Sequence, residues 1–257
     1  MAPIRAYAPG RAGLGGANVQ LDGRVVIVTG ASSGIGEATA RMAAALGCRL
    51  VLAARRAERL ESLARELGGG ALAVTTDMRD PAQVSSMVDV AVEHFGRVDV
   101  LVNNAGQGYH VPVESVTIED FQALMELNVY GPLVAMQAVV PLMRRQGEGA
   151  IVNVSSGTLR MPTLAGVGAY AATKAALGAL SAAARKELAP DGIVVSVVYP
   201  FVTATEFHKV LRGGQMRLRV PGTGQAPQAD PPERVAEAII GLVHSGDEEA
   251  VLVPPLS

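Results

Sequence analysis

The stretch GAYAATKAAL, residues 168–177, places a tyrosine and a lysine four positions apart among small residues. On a helix, positions i and i+4 share one face, so Tyr170 and Lys174 would lie side by side. A free tyrosine has a pKa of about 10, and a neighbouring ammonium favours the phenolate and lowers that pKa. The spacing therefore indicates a candidate acid–base pair, although an ordinary pair on an amphipathic surface helix fits the same pattern.

Strands and helices that would position this pair alternate along the chain. Short β-branched runs are mostly apolar throughout, which is typical of strands buried on both faces, and the segments between them have helical spacing. The predicted strands are 24–29, 49–54, 71–76, 98–104, 150–156, 193–199 and 250–254. This alternation predicts an α/β fold, a parallel sheet with helices on both faces. Ligands of such folds bind beyond the carboxyl ends of the strands.

Helix boundaries are marked by aspartate, proline and glycine. Asp80 precedes Pro81 and Asp230 precedes Pro231, so each aspartate is a predicted N-cap with proline at the first helical position. Gly47 is predicted to end the first helix.

Composition excludes several classes of function. The 257 residues are 49% hydrophobic, the net charge is -2, and no long basic run indicates a nucleic-acid surface. The single cysteine, Cys48, excludes an internal disulfide and fits a reducing, cytoplasmic compartment. The sequence has no cluster of His, Asp and Glu at metal spacing and no membrane span of about 18 apolar residues. We interpret 1–20 as a flexible tail and 21–257 as one domain.

A glycine-rich turn, TGASSGIG, follows the first predicted strand and opens a helix. Glycines allow the backbone to approach a pyrophosphate, and the helix N-terminus supplies amide donors and a favourable dipole. The glycines Gly30, Gly34 and Gly36 form G-x-x-x-G-x-G, and a purely structural tight turn is the alternative. The turn predicts dinucleotide binding through Gly30, Ser32, Ser33, Gly34, Ile35 and Gly36.

The second predicted strand ends in AARR and offers no acid before Glu58. Dinucleotide folds that bind NAD often place an acid here for the ribose 2′-hydroxyl, whereas arginine accommodates the 2′-phosphate of NADP. A guanidinium binds a phosphate through a forked pair of donors. We therefore predict NADP(H), with Arg55 as the main phosphate ligand and Arg56 as the secondary one; the alternative is that both arginines begin a solvated helix.

Taken together, these motifs resemble the classical short-chain dehydrogenase/reductase family over roughly residues 21–255. TGASSGIG resembles the family's cofactor turn, NNAG (103–106) its fourth-strand motif, and LNVYG supplies an asparagine. IVNVSS followed by YAATK resembles the family's serine and Tyr-x-x-x-Lys pair. The resemblance implies a Rossmann-type, doubly wound, seven-stranded parallel sheet.

The resemblance also implies a catalytic tetrad: Asn128, Ser156, Tyr170 and Lys174. Ser156 would polarise the substrate oxygen, Tyr170 would protonate it, and Lys174 would tune Tyr170 and bind the nicotinamide ribose. Asn128 would anchor a water that links Lys174 to solvent. Either Ser155 or Ser156 could be the catalytic serine, and we choose the second of the two.

Other cofactor contacts follow from the same resemblance. Those implied on the adenosine side are Asp77, Met78, Asn104, Ala105 and Gly106. After the sixth strand they are Pro200, Val202 and Thr205, in addition to Tyr170 and Lys174. Asn103 has an alternative structural interpretation, in which it ties neighbouring strands together.

Two features depart from the family pattern. Ser156 and Tyr170 lie 14 positions apart, one more than expected, so the intervening loop must absorb a residue. Phe201 stands where the family has glycine, and its side chain would instead line the substrate side. The segment 206–229 is a predicted substrate lid, whose Phe207, Leu211 and Met216 indicate an apolar pocket.

The sequence therefore predicts an NADP(H)-dependent oxidoreductase that interconverts a carbonyl and a secondary alcohol on a small-to-medium, apolar substrate. One alternative is a 3-oxoacyl-thioester reductase of fatty-acid type, for which Lys209, Arg212, Arg217 and Arg219 would form a basic rim. The other is a dinucleotide-binding regulator without catalysis. By resemblance, a homodimer or homotetramer is expected.

Overall fold

The computed structural model describes residues 21–160, 165–209 and 229–252. It contains a seven-stranded, all-parallel sheet in the order β3-β2-β1-β4-β5-β6-β7. The strands are Val25–Thr29 (β1), Arg49–Ala54 (β2), Ala71–Thr75 (β3), Val100–Asn103 (β4), Gly149–Val154 (β5), Ile193–Tyr199 (β6) and Glu249–Val251 (β7). The predicted Rossmann-type fold is confirmed. The predicted tail, 1–20, and most of the predicted lid lie outside the described residues.

Helices cover both faces of this sheet. They are Gly34–Ala45 (α1), Ala57–Leu67 (α2), Pro81–Phe95 (α3), Ile118–Met125 (α4), Gly131–Gln146 (α5), Gly168–Leu188 (α6) and Pro232–Ser245 (α7). A π-helical turn, Glu126–Tyr130, joins α4 to α5. Apolar side chains of α1, α2 and α7 pack on one face of the sheet, and those of α3, α5 and α6 pack on the other. The order of strands reverses between β1 and β4, where the carboxyl ends of the strands open a crevice.

One of the two predicted N-caps is confirmed and the other is wrong. Asp80 accepts hydrogen bonds from the amides of Ala82 and Gln83, and Pro81 is the first residue of α3. Asp230 does not cap α7, which begins one residue later than predicted, at Pro232. The Asp230 carboxylate instead accepts from Arg234, and its backbone pairs with Thr203, because tertiary contacts there outweigh the local capping signal.

A buried polar chain connects the strands beneath the crevice with α6. The Asn103 amide donates to the side-chain oxygen of Asn153 at 2.9 Å, and the Asn153 amide donates to the Ser181 hydroxyl at 2.8 Å. All three residues are at most 2% exposed. The structural interpretation of Asn103 is confirmed: it ties β4 to β5, and β5 is tied in turn to the helix that carries Tyr170 and Lys174.

Three expectations from composition can be compared with the structure. Cys48 is a free, buried cysteine, as the exclusion of an internal disulfide requires, and burial raises the pKa of its thiol to about 11. Within the described ranges no three His, Cys, Asp or Glu side chains form a group that could hold a metal. One described helical run, Ile118–Gln146, is long and apolar enough to cross a membrane, but 44% of its most apolar window is buried inside the protein.

Candidate active site

A cleft of about 380 Å³ opens at the carboxyl ends of the strands, above the crossover between β1 and β4. Most of the predicted cofactor residues line it. These are Gly30, Ser32, Ser33, Gly34, Ile35, Arg55, Arg56, Asp77, Met78, Asn104, Ala105, Gly106, Tyr170, Lys174, Pro200, Val202 and Thr205. Ser156 also lines the cleft, whereas Gly36 and Asn128 lie outside its lining. A single concave site thus brings together residues from positions 30 to 205.

The glycine turn forms one end of the cleft and is tied to the end of β4. Gly30 and Gly34 have φ angles of +68° and +57°, which side chains other than glycine rarely adopt. The Thr29 hydroxyl accepts hydrogen bonds from the amides of Asn104 and Ala105, each at 3.0 Å. Asn104 returns a side-chain hydrogen bond to the Thr29 carbonyl at 2.9 Å. These contacts fix the turn against the neighbouring strand end.

Gly36 shows why the last glycine of the motif is needed. A Cβ atom there would lie 2.5 Å from the Asn104 side-chain nitrogen and would collide with the Gly30 carbonyl. Gly34 is enclosed in a similar way, because a Cβ would lie 2.8 Å from the Thr205 methyl. The glycines thus permit close packing among the turn, β4 and the segment after β6.

Arg56, the residue just before α2, reaches back over the glycine turn. Its Nε donates to the Ser32 hydroxyl at 3.0 Å, and its Nη2 donates to the Ser33 hydroxyl at 2.6 Å. Its Nη1 donates to Glu206 at 2.8 Å, and Arg59 donates to the same carboxylate oxygen at 2.9 Å. Arg55, which we ranked first for the phosphate, lines the cleft and is exposed. Arg56 is the arginine that makes contact with the turn.

Asp77 lies on the far wall of the cleft, after β3. Its carboxylate accepts from the Arg79 guanidinium at 2.6 Å. The hydrogen bond from Arg79 holds the pKa of Asp77 below its usual range, so the group is an ionised acceptor at neutral pH.

Ser156 and Tyr170 both line the cleft, and the Ser156 hydroxyl is near enough to the phenol to affect its pKa. Ser156 follows β5, and Tyr170 is in the first turn of α6. The longer spacing between them therefore does not separate the two side chains. Burial raises the pKa of Tyr170 to about 12, while the nearby Ser156 hydroxyl has a smaller effect in the opposite direction. Tyr170 is only 5% exposed.

The neighbouring serine has a different environment. The Ser155 hydroxyl donates to the backbone carbonyl of Lys174 at 3.4 Å and so faces α6. The Ser156 hydroxyl faces the cleft and also accepts from the Thr158 hydroxyl at 3.0 Å. Of the two, Ser156 is the serine that affects the pKa of Tyr170.

Lys174 is buried one helical turn beyond Tyr170. Its Nζ donates to the carbonyl of Val154 at 2.9 Å, and burial lowers the pKa of the ammonium to about 8. We expected Lys174 to lower the pKa of Tyr170, but in the protein alone burial raises that pKa, and the opposing effect comes from Ser156. The pair lies on one face of α6, as its spacing predicts.

Asn128 lies in the π-helical turn, next to Lys174. Its side chain accepts from the Gln107 amide at 2.9 Å and donates to the Gln107 carbonyl at 3.0 Å. It also donates to the Thr173 hydroxyl at 3.1 Å. A Cβ added to Gly106 would lie 3.2 Å from the Asn128 oxygen and 3.3 Å from the Lys174 Nζ. Asn128 therefore connects the end of β4 to α6, beside the lysine.

Three residues that contribute to this site were not predicted as site residues. Thr158 bonds to Ser156, Gln107 clamps Asn128, and Glu206 bridges two arginines. No local pattern marks them; Thr158 could have been suspected only from its place two positions after the serine. Phe201 and Phe207 also line the cleft, and the Phe207 ring centroid lies 6.0 Å from that of Tyr170.

The family model for short chain dehydrogenases matches residues 24–215. This chain belongs to the short-chain dehydrogenase family. A D-threitol dehydrogenase of Mycolicibacterium smegmatis is 36% identical to this short-chain dehydrogenase over 87% of this chain and 86% of the relative. The family resemblance of the motifs is therefore confirmed, and the protein is an oxidoreductase of this family.

Solved structures of similar proteins hold dinucleotides. A 3-ketoacyl-(acyl-carrier-protein) reductase from Brucella melitensis, complexed with NADH, has a TM-score of 0.82 and 32% identity over 91% of this chain and 98% of that one. An alcohol dehydrogenase from the archaeon Thermococcus sibiricus, complexed with 5-hydroxy-NADP, has a TM-score of 0.79 and 30% identity over 92% and 98% of the two chains. Both types of nicotinamide cofactor thus occur among structures similar to this short-chain dehydrogenase.

Proposed function

We propose that this short-chain dehydrogenase uses NADP(H) to interconvert a carbonyl and a secondary alcohol on a small-to-medium, apolar substrate. The observation that carries the proposal is the placement of Ser156, Tyr170 and Lys174 together in the wall of the cleft that begins at the glycine turn. When bound, the cofactor supplies or accepts the hydride at nicotinamide C4. The side chains supply the proton and hold the substrate oxygen.

Tyr170 is proposed as the group that exchanges a proton with the substrate oxygen. Since the pKa of its phenol is about 12, Tyr170 is protonated at neutral pH and can donate to the oxygen of a carbonyl being reduced. Ser156, which lines the same cleft as this phenol, is placed to hold the same substrate oxygen and to stabilise the charge that develops on it.

Oxidation of an alcohol needs the Tyr170 phenolate, and two positive charges favour it. The Lys174 ammonium, one helical turn away, is the first; the oxidised nicotinamide ring carries the second. Lys174 would also hydrogen-bond the nicotinamide ribose. Asn128 is proposed to position Lys174 and to anchor the water that connects it with solvent.

The fit of a dinucleotide rests on the turn and the cleft. The positive φ angles of Gly30 and Gly34 and the enclosed position of Gly36 leave backbone, rather than side chains, facing a pyrophosphate. Adenosine would lie against Asp77, Met78 and Asn104 to Gly106. Pro200, Val202 and Thr205 would contact the nicotinamide half, and Thr205 already packs against the turn.

The preference for NADP(H) rests on the two arginines after β2. Arg55 is exposed at the cleft, and Arg56 lies over Ser32 and Ser33, so both can approach a ribose 2′-phosphate. Titration of the purified protein with NADPH and NADH, followed by nicotinamide fluorescence, tests this preference. We expect tighter binding of NADPH, weakened in Arg55→Ala and Arg56→Ala. Equal or tighter binding of NADH would overturn the proposed cofactor.

A 3-oxoacyl-thioester reductase is the second candidate function, favoured by the likeness to the Brucella melitensis reductase. The basic rim proposed for a carrier protein falls on residues whose side chains lie outside the described part of the chain. Comparison of kcat/KM for a 3-oxoacyl thioester and for a simple apolar ketone distinguishes the two functions. A homodimer or homotetramer and a cytoplasmic location remain part of the proposal.

A further inference from the structure

Glu206 lies at the junction of the cofactor cleft and the segment after β6. It begins a 3₁₀ turn, Glu206–Lys209, directly after Thr205 and directly before Phe207. One of its carboxylate oxygens, Oε2, accepts from Arg56 at 2.8 Å and from Arg59 at 2.9 Å. A side chain from position 206 thus supplies an anion to the two arginines at the start of α2.

Four of the five N–H donors of the Arg56 guanidinium are engaged by these contacts. Its Nε donates to Ser32, its Nη2 to Ser32 and Ser33, and its Nη1 to Glu206. Another anion that binds Arg56 through a fork must therefore displace at least one partner. Glu206 is the only anionic partner that the structure describes for Arg56. A phosphate that binds Arg56 would therefore replace one anion by another at this position.

The position of this carboxylate is also electrostatically favourable. Arg56 is the N-cap residue of α2 and Arg59 lies in its first turn, where the positive end of the helix dipole disfavours cations. An anion between them offsets that cost. The two guanidinium groups hold the pKa of Glu206 at about 2, so the carboxylate is ionised at every pH at which the protein would be assayed.

We propose that Glu206 occupies the ribose 2′-phosphate site as an internal competitor and thereby sets how strongly the enzyme prefers NADP(H) over NAD(H). The inference rests on the proposed role of the arginines in the cofactor site. A phosphate with about two negative charges and a carboxylate repel each other at contact distance, so the two anions exclude one another at Arg56 and Arg59. NADH, which lacks the phosphate, can bind while Glu206 stays in place.

The test measures the dissociation constants of NADPH and NADH for the wild type and Glu206→Gln. We expect Glu206→Gln to bind NADPH roughly fivefold more tightly, since it removes a competitor held by two exposed ion pairs of modest strength. The affinity for NADH should stay within about twofold. Glu58→Gln is the matched control. Glu58 lies between Arg56 and Arg59 in the sequence, so its substitution makes the same charge change, but in the described structure Glu58 forms no ion pair. Its NADPH affinity should be that of the wild type.

Combining Glu206→Gln with arginine variants tests the competition by Glu206 separately from the proposed preference for NADP(H). In an Arg56→Ala, Arg59→Ala background, the change at Glu206 should have no further effect on NADPH binding. If the arginine variants weaken NADPH binding but Glu206→Gln does not tighten it, then Glu206 does not compete with the 2′-phosphate, although the arginines do bind it. If the arginine variants leave NADPH binding unchanged, the phosphate site itself is wrong. The competition would also be disproved if Glu206→Gln tightened NADH binding as much as NADPH binding. It would likewise be disproved if Glu58→Gln tightened NADPH binding as much as Glu206→Gln does.

Discussion

The ammonium of Lys174 donates a hydrogen bond to the backbone carbonyl of Val154 at 2.9 Å, inside the wall of the cleft. This contact fixes the lysine against the last residue of β5, which directly precedes the serine pair. Lys174 is only 4% exposed, and burial lowers its pKa from an ordinary 10.5 to about 8. The protein therefore keeps a cation in its interior at neutral pH, at a cost in stability.

This cost predicts a pH dependence of stability in the cofactor-free protein. Between pH 8 and about 10.5, the Lys174 side chain of the unfolded chain binds a proton that the folded protein has released, so the Lys174 contribution to the free energy of unfolding rises with pH. Below pH 8 both states are protonated and the destabilisation is complete. Lys174→Met lacks this contribution altogether.

We expect the wild type to gain about 1–3 kcal/mol relative to Lys174→Met as the pH rises from 7 to about 10. Urea unfolding at a series of pH values measures the difference. Cys48 and Tyr170, whose pKa values are raised in the folded protein, act in the opposite direction, but both are present in the two proteins and cancel in the difference. Lys186→Met, at an exposed position, is the control and should parallel the wild type. If the free energy of unfolding of Lys174→Met changed with pH in parallel with that of the wild type, the claim that Lys174 is a buried cation with a lowered pKa would be wrong.

The last glycine of the turn yields a second prediction. Gly36→Ala places a methyl group against the Gly30 carbonyl and 2.5 Å from the Asn104 side chain. Overpacking of this kind costs about 1–3 kcal/mol, and any relaxation displaces the turn that would hold the pyrophosphate. We expect lower thermal stability together with a cofactor affinity reduced at least tenfold, measured by melting and by nicotinamide fluorescence.

Gly69→Ala is the matched control for that substitution. A Cβ at Gly69 meets no atom within 4 Å. Cofactor affinity and melting temperature should therefore stay close to those of the wild type. Wild-type affinity in Gly36→Ala would show that the turn does not need this glycine to bind the cofactor.

Much of the fold could be predicted because its signals are local. The strands are continuous apolar runs, and β6 has the predicted bounds, 193–199. The strand predicted at 98–104 is shorter at both ends, because Asp99 is bound by arginine side chains before β4 and Asn104 turns toward the glycine turn. Asp230 shows the same limit: its capping pattern is local, but its actual partners are tertiary.

The candidate site was predicted where family motifs fix positions in sequence, and was missed where contacts span the chain. Tyr170 and Lys174 are one helical turn apart, so their meeting follows from spacing alone. Glu206 and Arg56 are 150 positions apart, and no pattern in either segment indicates that they pair. The pKa of Tyr170 was also beyond sequence reasoning, because it depends on burial.

Turnover by Tyr170→Phe tests the central claim most directly. NADPH oxidation is followed with a panel of apolar ketones and a 3-oxoacyl thioester, and NADPH binding is measured on the same samples. Tyr130→Phe, at a position 49% exposed, serves as the control. We predict that Tyr170→Phe binds NADPH like the wild type and loses at least about 100-fold in kcat, since it lacks the proton donor. Unchanged turnover in Tyr170→Phe, or NADPH binding without turnover of any substrate by the wild type, would contradict the proposed catalysis and favour a dinucleotide-binding regulator.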